Sequence, residues 1–225
     1  VTRDERTHQA IVARLLGELT PVRPLWPPWM RLACWLVLAL GVVVLAAAVG
    51  LRDDLGVEME RPRYLFDLAI LLAGAGLAAM LALLAAVPGR MGGRRARDLS
   101  IGLLVLALAA AFLGDPPSAV ATRSSLLTSL RCVACVAAFG FVPWIALYRA
   151  AGRAAPLDGS ATALCVGAAA FLVGAAAVRV ACPYDDVAHL LLWHGLPVVL
   201  WAVVATALGG ALLARRFDSR PTHRA

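Results

Sequence analysis

Apolar positions in this chain do not alternate with polar ones. They run together in long blocks separated by short breaks that carry arginine. The blocks fall at about residues 29–51, 64–87, 98–114, 125–148, 159–181 and 187–214, each near or above the roughly 18-residue length that marks a bilayer span. This pattern predicts an all-α fold: an integral membrane bundle of six transmembrane helices, with both chain ends on the same side. The third block is the shortest. Its uncharged part, Leu99 to Gly114, rises only about 24 Å at ~1.5 Å per residue, against a hydrocarbon core near 30 Å. It is expected to sit short, with local thinning of the bilayer and snorkelling flanks. Three regions follow: a tail at 1–28, the transmembrane domain at 29–214 and a C-terminal tail at 215–225.

The first tail has a different period. Residues 5–19 place Ile11, Val12, Leu15, Leu16 and Leu19 at helical spacing, with Glu5, Arg6, Arg14 and Glu18 largely on the opposite face, the pattern of a short amphipathic helix. Thr20-Pro21 stops it. Pro21, Pro24, Pro27 and Pro28 then make a stiff extended connector into Trp26 and Trp29, which suit the membrane interface. A lone helix of this length is marginal in water, so its apolar stripe needs an outside surface. That surface is either the lipid headgroup region or the groove of a soluble partner.

Composition agrees with the membrane reading and orients it. The chain is 61% hydrophobic and 16% charged, which excludes a disordered chain and an ordinary water-soluble domain. All 21 basic residues are arginine and the net charge is +7, but the arginines lie mostly between the apolar blocks, so their first role is topological and not direct nucleic-acid binding. Fifteen of the 21 fall in the N-terminal tail, the second and fourth loops and the C-terminal tail. The positive-inside rule therefore predicts that both termini are cytoplasmic. Residues 1–28 hold Asp4, Glu5 and Glu18 and do not read as a secretory leader. The use of arginine without lysine fits a GC-rich genome and a bacterial inner membrane. Val87-Pro88-Gly89-Arg90 is a cytoplasmic turn, not a phosphate loop.

With that orientation, the outer ends of the fourth, fifth and sixth spans gather the reactive side chains. Cys132 and Cys182 both fall there, among Cys135, Arg131, Arg179, Asp185, Asp186, His189 and His194, with Asp67 near the outer end of the second span. Polar groups at such depth call for a reason. Thiolate and imidazole are ligands for soft or borderline metals, and Cys132, Cys182 and His189 form the candidate metal set, with carboxylates as direct or outer partners. Alternatively Cys132 and Cys182 form a disulfide in an oxidising compartment. Cys132 and Cys135 are spaced like a redox pair, but they lie inside a span and not at a helix N-terminus. Cys34 and Cys165 read as small buried hydrophobes. His189 and His194 otherwise suit hydrogen bonds between helices.

Several stretches resemble one family, the NrsF-like six-helix negative regulators of the sigma-F type of extracytoplasmic-function sigma factor. These are Leu19-Thr20-Pro21-Val22-Arg23-Pro24 leading into Pro27-Pro28-Trp29, the turn at Val87-Pro88-Gly89-Arg90, and Cys182-Pro183-Tyr184-Asp185-Asp186 through His189 to Trp193-His194-Gly195-Leu196-Pro197. The resemblance spans the chain. It implies a membrane anti-sigma factor without enzymatic activity, whose cytoplasmic side holds a sigma factor inactive until heavy metal or oxidative stress acts on its thiols. By position it assigns that response to Cys132 and Cys182, with Cys135 a neighbour and His189, Asp185 and Asp186 around them. No resident cofactor is implied; a soft metal ion at Cys132 and Cys182 would be a transient ligand, on the chemistry of the thiols. For the tail the resemblance favours partner docking over lipid binding, without naming the contact residues; the stripe of Ile11, Val12, Leu15, Leu16 and Leu19 is the surface that helical spacing offers for it.

Two other classes remain. A quinone-linked membrane thiol-disulfide oxidoreductase would use Cys132, Cys135 and Cys182, although such enzymes place their pairs in exposed loops or at helix starts. A metal or small-solute transporter is disfavoured by the absence of a clear repeat and of charge at mid-depth.

Overall fold

The computed structural model describes residues 3–17, 24–49, 52–112 and 125–218, and no strand occurs among them. The helices are α1 (Arg3–Gly17), α2 (Pro28–Ala48), α3 (Leu55–Glu58), α4 (Pro62–Ala85), α5 (Gly93–Phe112), α6 (Leu126–Gly152), α7 (Gly159–Ala181), α8 (Val187–His189) and α9 (Leu196–Asp218). A π-helical segment, Leu190–Gly195, joins α8 to α9 in one continuous run.

Local sequence sets the helix starts. Pro28 and Pro62 open α2 and α4 from the first turn, where no N–H partner is lost. Ser125 caps α6 by accepting from the Thr128 N–H at 3.2 Å, and Asp158 caps α7 by accepting from the Ala161 N–H at 2.9 Å. Asp186 does the same for α8 through the His189 N–H at 3.0 Å.

Among the described residues, five helical stretches are long and apolar enough to cross a bilayer: α2, α4, α6, α7 and the run Val187–Leu213. That is the signature of a multi-pass membrane protein. The expected third span corresponds to α5, which starts at Gly93 and not near 98, because the helix continues through Arg94, Arg95, Arg97 and Asp98. A hydropathy pattern marks only the apolar part of a helix, whereas the backbone ladder carries on through polar turns. The same reason extends α6 to Gly152 and α9 to Asp218. The fifth expected span, 159–181, coincides with α7.

Helix α7 is the axis of the bundle. Its most apolar window is 94% buried, and it packs against α2, α4, α5, α6 and α9. Small side chains make this possible. A Cβ on Gly174 would collide with the Val136 carbonyl of α6, and one on Gly167 would lie 3.1 Å from the Ala202 carbonyl of α9. Without a hydrophobic drive between helices in lipid, such close approach supplies the packing. By contrast α2 is only 22% buried over its window. It is tied to α6 by Trp35 Nε1, which donates to the Pro143 carbonyl at 2.9 Å, and by Arg31, which donates to the Ala150 carbonyl.

Candidate functional site

At one end of the bundle, four buried side chains from α6, α7 and the α8 to α9 run converge. Cys132 lies two turns into α6 and is 7% exposed, while Cys182 is the C-cap of α7 and 5% exposed. The Cys182 N–H still donates to the Val178 carbonyl at 2.8 Å. Pro183 lacks an N–H and cannot continue that ladder, so the chain leaves α7 extended and turns back across the end of the bundle. This places the Cys182 Sγ 3.7 Å from the Cys132 Sγ. His189 is held by the Asp186 cap, and its Nε2 lies 3.7 Å from the Cys132 Sγ and 3.6 Å from the Cys182 Sγ.

His194 is the fourth member. Five residues along an α-helix turn about 140° beyond a full revolution, which would send His194 to another face from His189. The π turn, with its i→i+5 closure, brings positions five apart back onto one face. The two imidazole rings meet edge to face with centroids 5.3 Å apart. Phe112 of α5 closes the far side with its centroid 6.4 Å from that of His194. One ligand atom each from Cys132, Cys182, His189 and His194 lies within 4.8 Å of all the others. His194 is fully buried, and its ring nitrogens make no hydrogen bond of good geometry, with the Cys182 thiol the hydrogen-bonding group that faces the ring.

An ion-pair network braces this cluster. Arg52, which follows α2, is buried and donates from Nη1 to the Cys182 carbonyl at 2.9 Å. It also pairs with Asp185 at 2.6 Å, Asp54 at 2.7 Å and Glu58 at 3.3 Å. Arg179 also donates to Oδ1 of Asp185, which Arg52 shares, and reaches Asp67 at 3.4 Å. Asp67 also pairs with Arg63 at 3.0 Å. Tyr64 lies under both cations, 4.6 Å from the Arg179 guanidinium and 5.4 Å from that of Arg52, and its hydroxyl donates to the Arg179 carbonyl at 3.0 Å. Burial works against the Asp185 carboxylate, but the hydrogen bonds from Arg52 and the charge of Arg179 outweigh it and hold its pKa below the ordinary value. Burial likewise opposes the charge on Arg52, and Asp185 and Asp54 reverse that effect, so its pKa lies above the ordinary value.

The sequence-predicted residues thus divide by location. Cys132, Cys182 and His189 come together. Asp185 is engaged by two arginines, Asp186 caps α8, and half-buried Cys135 stands outside the four-residue cluster. In α1, Ile11, Val12 and Leu16 are exposed. The Leu15 side chain and Leu19 lie outside the described residues, as do the rest of the connector before Pro24 and the last seven residues. Near that connector, at the end of the bundle away from Cys132 and Cys182, Trp26, Arg31, Cys34, Trp35, Ala150 and Arg153 line a cleft of about 690 Å³ between α2 and α6.

Thiols and imidazoles so arranged suit metal capture or thiol oxidation, and a regulator can use either. A family model described as NrsF, negative regulator of sigma F, matches residues 15–215. The chain belongs to the NrsF family. That description implies a sigma-factor partner for its members, and the matched region includes all four residues of the cluster. No curated protein and no solved structure matches the chain. Within this NrsF chain, two features escaped sequence reading. His194 was grouped near the cysteines but not assigned as a ligand, because α-helical spacing does not align it with His189. The role of Arg52 had no periodic signal, since it lies outside the long helices.

Proposed function

We propose that this protein is a membrane-bound anti-sigma factor of the bacterial inner membrane, without enzymatic activity, that sequesters an extracytoplasmic-function sigma factor. In this reading α5 is a sixth, short span, so both termini are cytoplasmic and the cysteine cluster faces the periplasm. The tail docks the sigma factor through Ile11, Val12, Leu15, Leu16 and Leu19. Heavy metal or oxidant acting on Cys132 and Cys182 releases it.

The family supports the sigma-factor partner. The observation that carries the sensing role is the approach to 3.7 Å of Cys132 on α6 and Cys182 at the end of α7, 50 residues apart in sequence. The exposed stripe on α1 supports tail docking, because an apolar face left in water favours a partner that covers it. Signalling then requires that the two states of the thiols differ in how well they tolerate the bound sigma factor. A coupling of about 1–3 kcal/mol, roughly 5- to 150-fold, is typical of such switches. Capture of a metal ion releases the thiol protons. Joining of the two sulfurs gives two electrons and two protons to an external oxidant.

The test replaces Cys132 and Cys182 by serine, singly and together, and reads sigma-dependent transcription with and without cadmium or peroxide. The expected result is a reporter that stays repressed under both stresses. A response equal to that of the unmodified protein would overturn the thiol-sensing part. A tail of residues 1–28 that captures no sigma factor, while the intact protein does, would move the docking surface elsewhere.

A further inference from the structure

We infer that Cys132, Cys182, His189 and His194 form a four-ligand tetrahedral site for a thiophilic divalent cation of the zinc and cadmium type. The inference rests on the thiol-sensing reading for its consequence in the cell, and on geometry for its existence. Bonds of about 2.3 Å to sulfur and 2.0 Å to imidazole nitrogen, opened to the tetrahedral angle, put two sulfurs about 3.8 Å apart and a sulfur and a nitrogen about 3.5 Å apart. The separations found are 3.7 Å between the sulfurs, and 3.7 and 3.6 Å from them to His189 Nε2. All four ligand atoms fall within 4.8 Å of one another. Cys132, Cys182 and His189 are therefore already at the spacing of ligands around one cation, and His194, within 4.8 Å of each of them, would close in as the ion binds.

His194 supplies the independent observation. It is fully buried, neither ring nitrogen makes a hydrogen bond of good geometry, and the hydrogen-bonding group that faces it is the Cys182 thiol of the same cluster, although buried polar groups are almost always satisfied. A π segment is rare and recurs at functional positions, and here its geometric effect is to return His194 to the face that holds His189. A histidine merely filling core space needs no such departure from the α ladder.

Charge selects the class of ion. Two thiolates and two neutral imidazoles around a divalent cation sum to zero, which suits a site whose four ligands are buried. A monovalent soft cation would leave a net negative charge there. Each thiol gives up its proton as its sulfur binds, so two protons leave per cation and no electrons move. Arg52, holding the Cys182 carbonyl at 2.9 Å, acts as an outer support that fixes the direction of the second sulfur.

Full-length protein, purified in detergent with its thiols reduced, is titrated with Co²⁺ alone, whose visible spectrum reports coordination. One equivalent is expected, with the intense bands of a tetrahedral centre and a sulfur-to-metal charge-transfer band, displaced by Zn²⁺ or Cd²⁺. X-ray absorption on the Zn²⁺-loaded, unmodified protein is expected to count two sulfurs and two nitrogens. His194→Ala and His194→Gln are each expected to lose more affinity than the roughly 10–100-fold that follows loss of an outer partner. Both variants still allow a mild oxidant to join Cys132 to Cys182, which shows that the thiol pair remains in place. No uptake by the reduced protein, a different ligand count, or wild-type affinity in both His194 variants would overturn the site. The transcription assay separates this from the functional reading. Serine variants that respond normally, beside a tetrahedral Co²⁺ spectrum, would remove the sensing role and leave the site. Unresponsive serine variants, beside a reduced protein that takes up no metal, would do the reverse.

Discussion

Arg52 and Asp185 set the strength of the brace around the cysteines. The guanidinium side chain of Arg52 is fully buried, and Asp185 faces it with both oxygens, at 2.6 and 3.0 Å. Removing one partner of a buried pair costs about 3–5 kcal/mol when nothing replaces it. Here Asp54 and Glu58 remain beside Arg52 and Asp185 is partly exposed, so Asp185→Asn should cost about 2 kcal/mol, read as unfolding in detergent. The sign with pH follows from the lowered pKa of Asp185. A carboxylate held below its unfolded value contributes its full stability above the ordinary aspartate pKa of about 3.9, and loses it as pH falls through the folded value. The difference between the two proteins should therefore be flat from neutral pH to about 5 and vanish only in strong acid. A difference that already fades near pH 6 would assign the pH dependence to another group. Much of the residue chemistry was legible. Cys132, Cys182 and His189 could be grouped because they fall at the same end of successive apolar blocks. His194 and Arg52 could not be assigned, because one depends on a π turn and the other on a short segment whose path no periodicity describes.

At the scale of the element, the packing of α7 depends on what its residues lack. Gly174 meets the Val136 carbonyl so closely that no Cβ fits, whereas Gly41 on α2 has nothing within 4 Å of its own. Gly174→Ala should destabilise the bundle by about 1–3 kcal/mol, the usual cost of overpacking. Gly41→Ala should be neutral or stabilise by up to about 1 kcal/mol through helix propensity. Denaturant titration of the two variants in the same detergent measures both, and equal effects would refute a tight α6 to α7 seam. The apolar blocks foretold where these helices lie, and the block at 159–181 coincides with α7. They did not foretell that α7 occupies the centre. Abundant small residues mark every helix of this chain as able to approach another, so the choice of axis comes from the three-dimensional arrangement and not from any one segment. The start of α5 was missed for a different reason, since Arg94, Arg95, Arg97 and Asp98 continue a helix that hydropathy ends.

The molecule as a whole raises a question of parity. Among the described residues, five helices satisfy the length and apolarity of a span, and an odd number of crossings would put the two termini on opposite sides. If α5 crosses as well, a phosphatase reporter fused after Glu60 should be active, and reporters fused after Arg90 or after Arg216 should be inactive. Activity after Arg216 with silence after Arg90 would make α5 a helix that does not cross. The count of arginine by side was legible from sequence because charge near a span acts on insertion directly. What that count does not describe is how the two ends of the bundle communicate. The grip of Arg52 on the Cys182 backbone bears on this. It fastens Arg52, beyond α2, to the C-cap of α7 that carries one of the sulfurs, while the other end of α2 leads through Pro27 to the exposed Trp26. A helix barely shortens under load, so a pull on one end is carried to the other. Little of α2 is buried, so such a pull would be resisted at the far end mainly by the bonds from Arg31 and Trp35 to α6, and these set how much of it could reach the tail.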